Sequence, residues 1–305
     1  MSIPRNHHYV SQVLSKKFMS PDGKIFKFNK KVETRRFETK TSTRNLFSER
    51  NLNSKRDFDG NIDHSSVEML LNQNFENDFN SHYDIVIEAT NADVDEGSPL
   101  PNSEEVMESL EYLVGMGLID QARHPKRIKE SNRAIWGTLL KIAEHATEEL
   151  KTQIYTSYNG FTGITNKTPI DFRLLKDEFL ELMGDVTLSI NIAHDGEFFL
   201  LPNCTAAIIR VKLPDDIIDG KVYINPSEPI ASVLMPLNSR VLITITSDRI
   251  IPDKPSIYGH GIYQLERHLT REFNKRIIER SIEEVIYENE KYLKSIVEEI
   301  ENDNK

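Results

Sequence analysis

Two adjacent histidines near the start of the chain, His7 and His8, are the first residues suited to chemistry. They stand in the stretch Asn6-His7-His8-Tyr9-Val10-Ser11-Gln12. A histidine titrates near neutral pH, so it can give or take a proton, ligate a metal or hydrogen-bond a phosphate. Adjacent side chains point opposite ways in an extended segment and diverge by about 100° on a helix. At most one of the pair therefore faces a given site, and the plainer reading is a histidine that orders the N-terminus against a core. Glu68 and Glu76, eight residues apart, would share one helix face about 12 Å apart. That is too far to grip one ion without further ligands. His64 and Glu68, four residues apart, could both reach a metal; otherwise the stripe is simply solvated. The candidate catalytic residues are thus His8, His7 and Glu68, with His8 as proton-transfer group or ligand. The candidate nucleic-acid contacts are Lys24, Lys27, Arg35 and Arg36. No metal site is assigned; the cofactor is left open, a divalent metal being the one considered.

The lysines and arginines are singled out because charge is laid out unevenly. Residues 1–56 hold 14 Lys and Arg against 4 Asp and Glu, while the remainder holds 24 against 44, for a net charge of −10. A basic arm on an acidic body either docks on that body or contacts phosphates. A second basic cluster, Arg123-His124-Pro125-Lys126-Arg127-Ile128-Lys129 with Arg133, either extends a phosphate track or starts a helix with its charges exposed. The single cysteine, Cys204, excludes an intramolecular disulfide and a cysteine-based zinc cluster. It is read as a buried, small apolar residue in a reducing, cytoplasmic setting. No apolar run is long enough to span a bilayer, and no apolar stretch of a signal peptide follows the N-terminus. The sequence lacks G-x-S-x-G, H-E-x-x-H and Walker A motifs. Gly259-His260-Gly261 is read as a flexible approach to a helix, with an anion site as the sharper alternative.

The elements that would position these residues follow from periodicity. Val10, Val13, Leu14 and Phe18 predict a helix over 8–18. A turn at Pro21-Asp22-Gly23 leads to a strand over 24–30, with a second strand within 32–43. Residues 48–63 read as polar and turn-like. Asp63 caps a helix running to residue 88, and Ser103 starts one that is weakened late by Gly115 and Gly117. After the break at His124-Pro125 a long helix runs to about 157, with Ile135, Trp136, Leu139, Leu140, Ile142, Ala143 and Leu150 inward. Thr168-Pro169 starts another, closed by Gly184. From Asp185 the pattern turns to strands: 186–193 and 197–201 joined at Asp195-Gly196, then 205–212, 221–225, 230–235 and 240–246. A long helix over 261–300 closes the chain.

This order of features resembles a bacterial family known as domain of unknown function 4238. Its members open with a His-His-Tyr-Val-Pro-Gln-type motif, then a helix ending in Phe and a glycine turn before an aromatic strand. Here these read His7-His8-Tyr9-Val10-Ser11-Gln12, Leu14, Phe18, Gly23 and Phe26-Lys27-Phe28, with Ser11 in place of the usual Pro. Val67-Glu68-Met69-Leu70-Leu71 with Glu76 is similar to the family's acidic helix. Phe199-Leu200-Leu201-Pro202-Asn203 is similar to a strand end that usually reads Ser-Asp-Asn-Pro, with Leu-Pro replacing Ser-Asp. Leu234-Met235-Pro236-Leu237-Asn238 and Phe273-Asn274 resemble the family's C-terminal part. The resemblance implies a bacterial or phage-related source and a role in genetic conflict.

The expected fold is α+β and single-domain over 1–305. It comprises a basic strand-containing segment (1–58), a helical region (59–184), and an antiparallel sheet covered by a long final helix (185–305). The expected function is a nucleic-acid-directed effector, with nuclease activity as its sharpest form, in a bacterial defence or toxin system. The expected partner is DNA or RNA, with no membrane association. The alternative is a non-catalytic binding or assembly module whose basic arm engages an acidic protein surface, of the same or another subunit.

Overall fold

The computed structural model describes residues 6–31, 36–52, 54–56, 62–63, 65–91, 103–160, 172–212, 216–218, 221–223, 228–248 and 261–303. The chain opens with strand β1 (Asn6–His8), helix α1 (Gln12–Lys16), and strands β2 (Ile25–Asn29), β3 (Phe37–Lys40), β4 (Ser48–Arg50), β5 (Lys55–Arg56) and β6 (Ile62–Asp63). The first helix thus begins four residues later than its apolar spacing predicts, and the motif histidines lie on a strand. Residues 48–63 also hold short strands where only turns are expected.

The helical region comprises α2 (Ser66–Leu71), a wider turn over Asn72–Glu76, α3 (Phe79–Thr90), α4 (Ser103–Arg123), α5 (Pro125–Glu144), α6 (Glu148–Gly160) and α7 (Phe172–Met183). Asp63 does cap α2: its carboxylate accepts the N–H groups of Ser65 at 2.8 Å and Ser66 at 3.1 Å. These bonds, with the Ser66 hydroxyl, hold its carboxyl below the usual range. The single helix expected over 64–88 is divided by the wider turn over Asn72–Glu76 and a bend at residues 77–78 before α3. The helix expected from 125 to 157 is likewise two. Pro125 sits at its first position, where the missing N–H costs nothing.

The remainder carries β7 (Val186–Ile192), β8 (Leu201–Pro202), β9 (Ala207–Arg210), β10 (Asp216–Ile218), β11 (Lys221–Tyr223), β12 (Ile230–Pro236), β13 (Val241–Ser247), β14 (Gly261–Gln264), α8 (Arg267–Arg280), β15 (Glu284–Tyr287) and α9 (Glu290–Asp303). A five-stranded sheet has the order β14-β7-β13-β12-β9, and a four-stranded sheet the order β3-β2-β15-β8. β14 joins β7 in parallel while the other pairs are antiparallel, so the larger sheet is mixed. Asp195-Gly196 does turn the chain, Gly196 taking φ +78°, but the residues after it do not return beside β7. The predicted final helix is split by β15, which pairs with β2 on one side and β8 on the other. Ile282, Val285 and Ile286 fit a helical stripe by spacing, yet Val285-Ile286-Tyr287 is β-branched and aromatic and takes the sheet position.

Both faces of the larger sheet are covered. Val233, Met235, Val241, Ile243 and Ile245 share a cluster with Leu110, Leu113 and Val114 of α4, and with Val10, Leu14 and Phe18. Leu234 and Leu242, alternating with them, join Ile277, Leu293 and Ile296 of α8 and α9 and Phe28 of β2. Gly117 lets α4 lie close on the sheet, since a Cβ there would come within 2.7 Å of Met235 Sδ. Its cost to helix propensity is offset by that approach. The fold is therefore α+β as expected, with two helices rather than one over the C-terminal face. Among the described residues no helix is long and apolar enough to cross a membrane.

Candidate functional site

Pairing of β1 with β4 sets His7 opposite Glu49 and His8 opposite Ser48. The pleat then sends neighbouring side chains to opposite faces: His7 is buried and His8 half-buried. Nδ1 of His8 lies 2.9 Å from the carbonyl oxygen of Leu46. A carbonyl only accepts, so this nitrogen carries the proton and Nε2 presents a lone pair. Burial lowers the pKa of His8. The Leu46 carbonyl and Glu68 oppose that shift, while Arg123 and His7 add to it. The imidazole is neutral at pH 7. A helix N-terminus is not the cause, because His8 is on a strand.

The end of α4 meets this motif. Arg123 donates through Nη2 to the carbonyl oxygen of His8, and the same nitrogen lies 3.9 Å from Glu68 Oε1. Its Nη1 is 3.5 Å from Asp120 Oδ1. The other oxygen of Asp120 accepts from Thr205 Oγ1 at 2.7 Å and from the Ser11 N–H at 3.3 Å. Asp120 is buried, and burial pushes its carboxyl up to about 7, against the pull of Arg123 and Thr205. Glu76 is also raised by burial, with Glu68 adding to the shift and Arg123 and Ser11 opposing it. Nε of Arg123, buried, finds no hydrogen-bond partner among the described residues. A buried donor left unsatisfied is costly, and a site awaiting an acceptor is one reason to retain it.

The segment Leu201-Pro202-Asn203-Cys204-Thr205 builds the other wall. Asn203 accepts from the N–H groups of Ile282 at 3.1 Å and Glu283 at 3.3 Å, and its Nδ2 lies 3.0 Å from His124 Nε2. Thr205 takes φ +61°, a left-handed conformation that is strained for a β-branched residue. Its hydroxyl is bonded to Asp120. Cys204 is buried and its thiol is pushed up to about 12 by burial, as befits an inert packing residue.

Of the expected site residues, the structure brings His8 and Glu68 together around Arg123, with His7 behind them in the core. The lysines and arginines of the arm have partners elsewhere. Lys24 pairs with Asp22, Lys27 with Glu284 at 2.8 Å and Glu38 at 3.4 Å, and Arg36 with Glu301. Lys30 holds the carbonyls of Ile278 and Glu279 near the end of α8. Arg35, His64, Gly259 and His260 lie outside the described residues. Among the described residues no group of three or more His, Cys, Asp or Glu is placed to hold a metal ion. Asp120 and Thr205 are not singled out by the sequence, and Asn203 enters only as the end of the Phe199-Leu200-Leu201-Pro202-Asn203 segment. The one available signal was Asp120 itself, a lone carboxylate directly after the apolar run Leu118-Ile119.

The region carrying His8, Glu68 and Glu76 can now be compared with known proteins. Residues 6–112 match the model of a family described as a protein of unknown function, DUF4238. The likeness to the DUF4238 family covers this N-terminal region, about a third of the chain. No curated protein and no solved structure matches the chain. The DUF4238 region supplies the histidine and both glutamates, while Asp120, Arg123, His124, Asn203 and Thr205 lie beyond it.

His124 gives this region a pH signature. It is 3% exposed, and its ring stands edge-on to Tyr9 with centroids 4.8 Å apart. Nδ1 accepts the N–H of Lys126 at 3.2 Å, so in the neutral ring Nε2 carries the proton, and protonating Nδ1 removes the Lys126 contact. Burial lowers its pKa to about 4. An unfolded histidine takes its proton near 6.5, before the folded one does. Stability from this group is therefore complete above pH 6.5 and is lost as pH falls towards 4, by on the order of 3 kcal/mol. Asp120 acts in the opposite sense: its raised carboxyl adds stability as pH falls from 7. Urea unfolding at several pH values should thus show a shallower acid loss in His124→Asn than in the wild type. Parallel slopes would remove His124 from the account.

Proposed function

We propose that the chain is a nucleic-acid-directed effector of a bacterial defence or toxin system. In this reading it cleaves phosphodiesters, with its chemistry carried by His8, Glu68 and Glu76 beside Arg123. The observation that supports this most is a pair of opposed pKa shifts around Arg123, which bonds the His8 carbonyl and acts on Glu76 through its charge. His8 is kept neutral with Nε2 free of the Leu46 bond, and Glu76 is biased towards its protonated form. Such a divergence suits a general base and a general acid acting together. His8 would take the proton of the attacking hydroxyl, Glu76 would protonate the leaving oxygen, and Arg123 would balance the charge on the phosphoryl oxygens. Glu68 would hold Arg123 in place between turnovers. Incubating the protein with DNA and RNA panels, with and without a divalent metal, tests this directly; cleavage of one class is the expected result.

Lys24, Lys27, Arg35 and Arg36 are kept as proposed phosphate contacts. Lys31, which pairs with Glu283 at 2.7 Å, also lies beside Lys126 and so links the arm to the basic start of α5. Binding through about five phosphates should weaken by ~10²–10³ between 50 and 200 mM salt. Changing Lys27 and Arg36 to Ala should flatten that dependence, as read by fluorescence anisotropy. Unchanged slopes would take the arm out of nucleic-acid binding.

A second reading has its own support. Lys27, Lys31 and Arg36 meet Glu284, Glu283 and Glu301, so the basic arm already engages an acidic surface of the same chain. This is the pattern of an assembly module. Loss of folding stability without change in nucleic-acid binding, on substituting those glutamates, would favour it.

A further inference from the structure

We propose that Asp120, Glu76, Glu68 and Arg123 form a proton-operated clasp on the opening motif. The clasp is closed while the cluster holds a proton and opens once its carboxyls are all ionised. It stands whether or not the chain cleaves nucleic acid. Both holds on the motif come from α4: Asp120 accepts the Ser11 N–H, and Arg123 donates to the His8 carbonyl. In the closed form these groups are out of water, with Asp120 and Ser11 1% exposed and Arg123 5%. Access to the unpartnered Nε of Arg123 therefore requires the motif to lift.

The charges in this cluster do not balance. Asp120 and Glu68 lie 3.5 and 3.9 Å from the guanidinium. Neither contact reaches the ~2.7–2.9 Å of a charge-assisted bond. Glu76, half-buried on the wider turn, is near enough for the charges of Arg123 and Glu68 both to act on it. Other titratable groups on the adjoining elements are His7 and His8 of β1, Glu49 of β4 and His124 of α5. Burial lowers His8 and His124, so neither brings a charge above pH 7. Lys129 lies 3.5 Å from Glu49. Three carboxyls thus face one guanidinium among the described residues. Ionising all three leaves buried negative charge in surplus, so the cluster keeps a proton near neutral pH. That proton belongs to the group and not to one residue. Burial accordingly pushes Asp120 up to about 7 and raises Glu76.

An acid raised in the closed form and ordinary in the open one favours closure at low pH. It loses that effect as pH rises through about 7. Water must then reach Asp120. Thr205 bonds it at 2.7 Å and Ser11 at 3.3 Å, so the Ser11 side yields first. Glu76 can turn outward, because Asn72, Gln73 and Asn77 around it are exposed. Val10, Leu14 and Phe18 are fully buried, so the opening stays local.

Amide hydrogen exchange of the full chain, read by NMR and corrected for intrinsic rates, tests the clasp. Release of one proton with a midpoint near 7 should lower the protection of the Ser11 amide about tenfold between pH 6 and 8. Amides of β12 and β13 should keep theirs. Asp120→Asn with Glu76→Gln, which cannot ionise, should make the Ser11 protection level over this range. Protection that is already level in the wild type, or that falls equally in the double variant, overturns the clasp. Carbon-13 NMR of the Asp120 carboxyl in the wild type decides the matter even if the variant does not fold. A midpoint above 6 is expected, and one below 5, towards the ordinary value of about 3.9, overturns the proposal.

Discussion

Asp120→Ala is expected to cost about 3–5 kcal/mol of folding stability. The carboxylate is the buried partner of Arg123, and it also accepts from Thr205 and from the backbone N–H of Ser11. Alanine leaves the buried guanidinium with only the more distant Glu68, at 3.9 Å, and strands two further donors. It also releases Thr205 from the bond that accompanies its strained backbone. Asp120→Asn keeps an oxygen for one of these donors and should lose less. Urea unfolding of the three proteins at pH 7 gives the ranking, with alanine the least stable. A loss under about 1 kcal/mol for alanine would place Asp120 among ordinary surface substitutions and undo its role as the keystone between the opening motif and the Thr205 loop.

His8→Ala is expected to lower cleavage by about 10²–10⁴-fold, the usual contribution of a positioned acid or base. The structural loss is small, since the side chain is half-buried and its recorded bond is one neutral contact to Leu46. Such a bond is worth about 1 kcal/mol, which moves the melting temperature by about 2–4 °C in a chain of this size. The wild-type rate should fall as pH drops below the ordinary histidine range, because His8 acts only when neutral. Burial lets Glu76 keep its proton to higher pH than a free glutamate, and the rate should fall once that proton is lost. Glu76→Gln should remove the alkaline limb. If His8→Ala unfolds the protein, or if an active preparation retains its rate after the change, the histidine orders the N-terminus and carries no chemistry.

The sequence makes parts of this legible for identifiable reasons. β7, β12 and β13 are long β-branched runs between turn residues, so they stand out. Asp63 as a cap and Pro125 at a helix start are local chemistry and read directly. His8 and Glu68 are both singled out, but Arg123, which bonds the His8 carbonyl and lies 3.9 Å from Glu68, reads only as one member of a basic cluster. Asp120, Asn203 and Thr205 are single polar residues whose meaning comes from partners roughly 80–110 positions away; no local pattern carries that. β15 is hidden because its apolar residues also satisfy a helical period. Of the apolar residues of α5 expected inward, Ala143 is buried and Trp136, Leu139 and Leu140 half-buried, but Ile135 and Ile142 are exposed, since spacing shows a stripe and not what lies against it.

The place of β15 has a temporal consequence. β2, residues 25–29, lies between β3 and β15, and β15 is residues 284–287. Lys27 likewise waits for Glu284. During synthesis at about 5–20 residues per second, the basic segment emerges roughly 10–50 s before the strand that completes its sheet. For that interval β2 has β3 on one side and an open edge on the other, with Ile25 and Phe28 lacking much of their final cover. An unpaired strand edge with apolar side chains is a template for other chains. The lysines on and around it, Lys24, Lys27, Lys30 and Lys31, therefore serve a second purpose: they keep nascent copies apart until residues 283 and 284 arrive to pair with two of them.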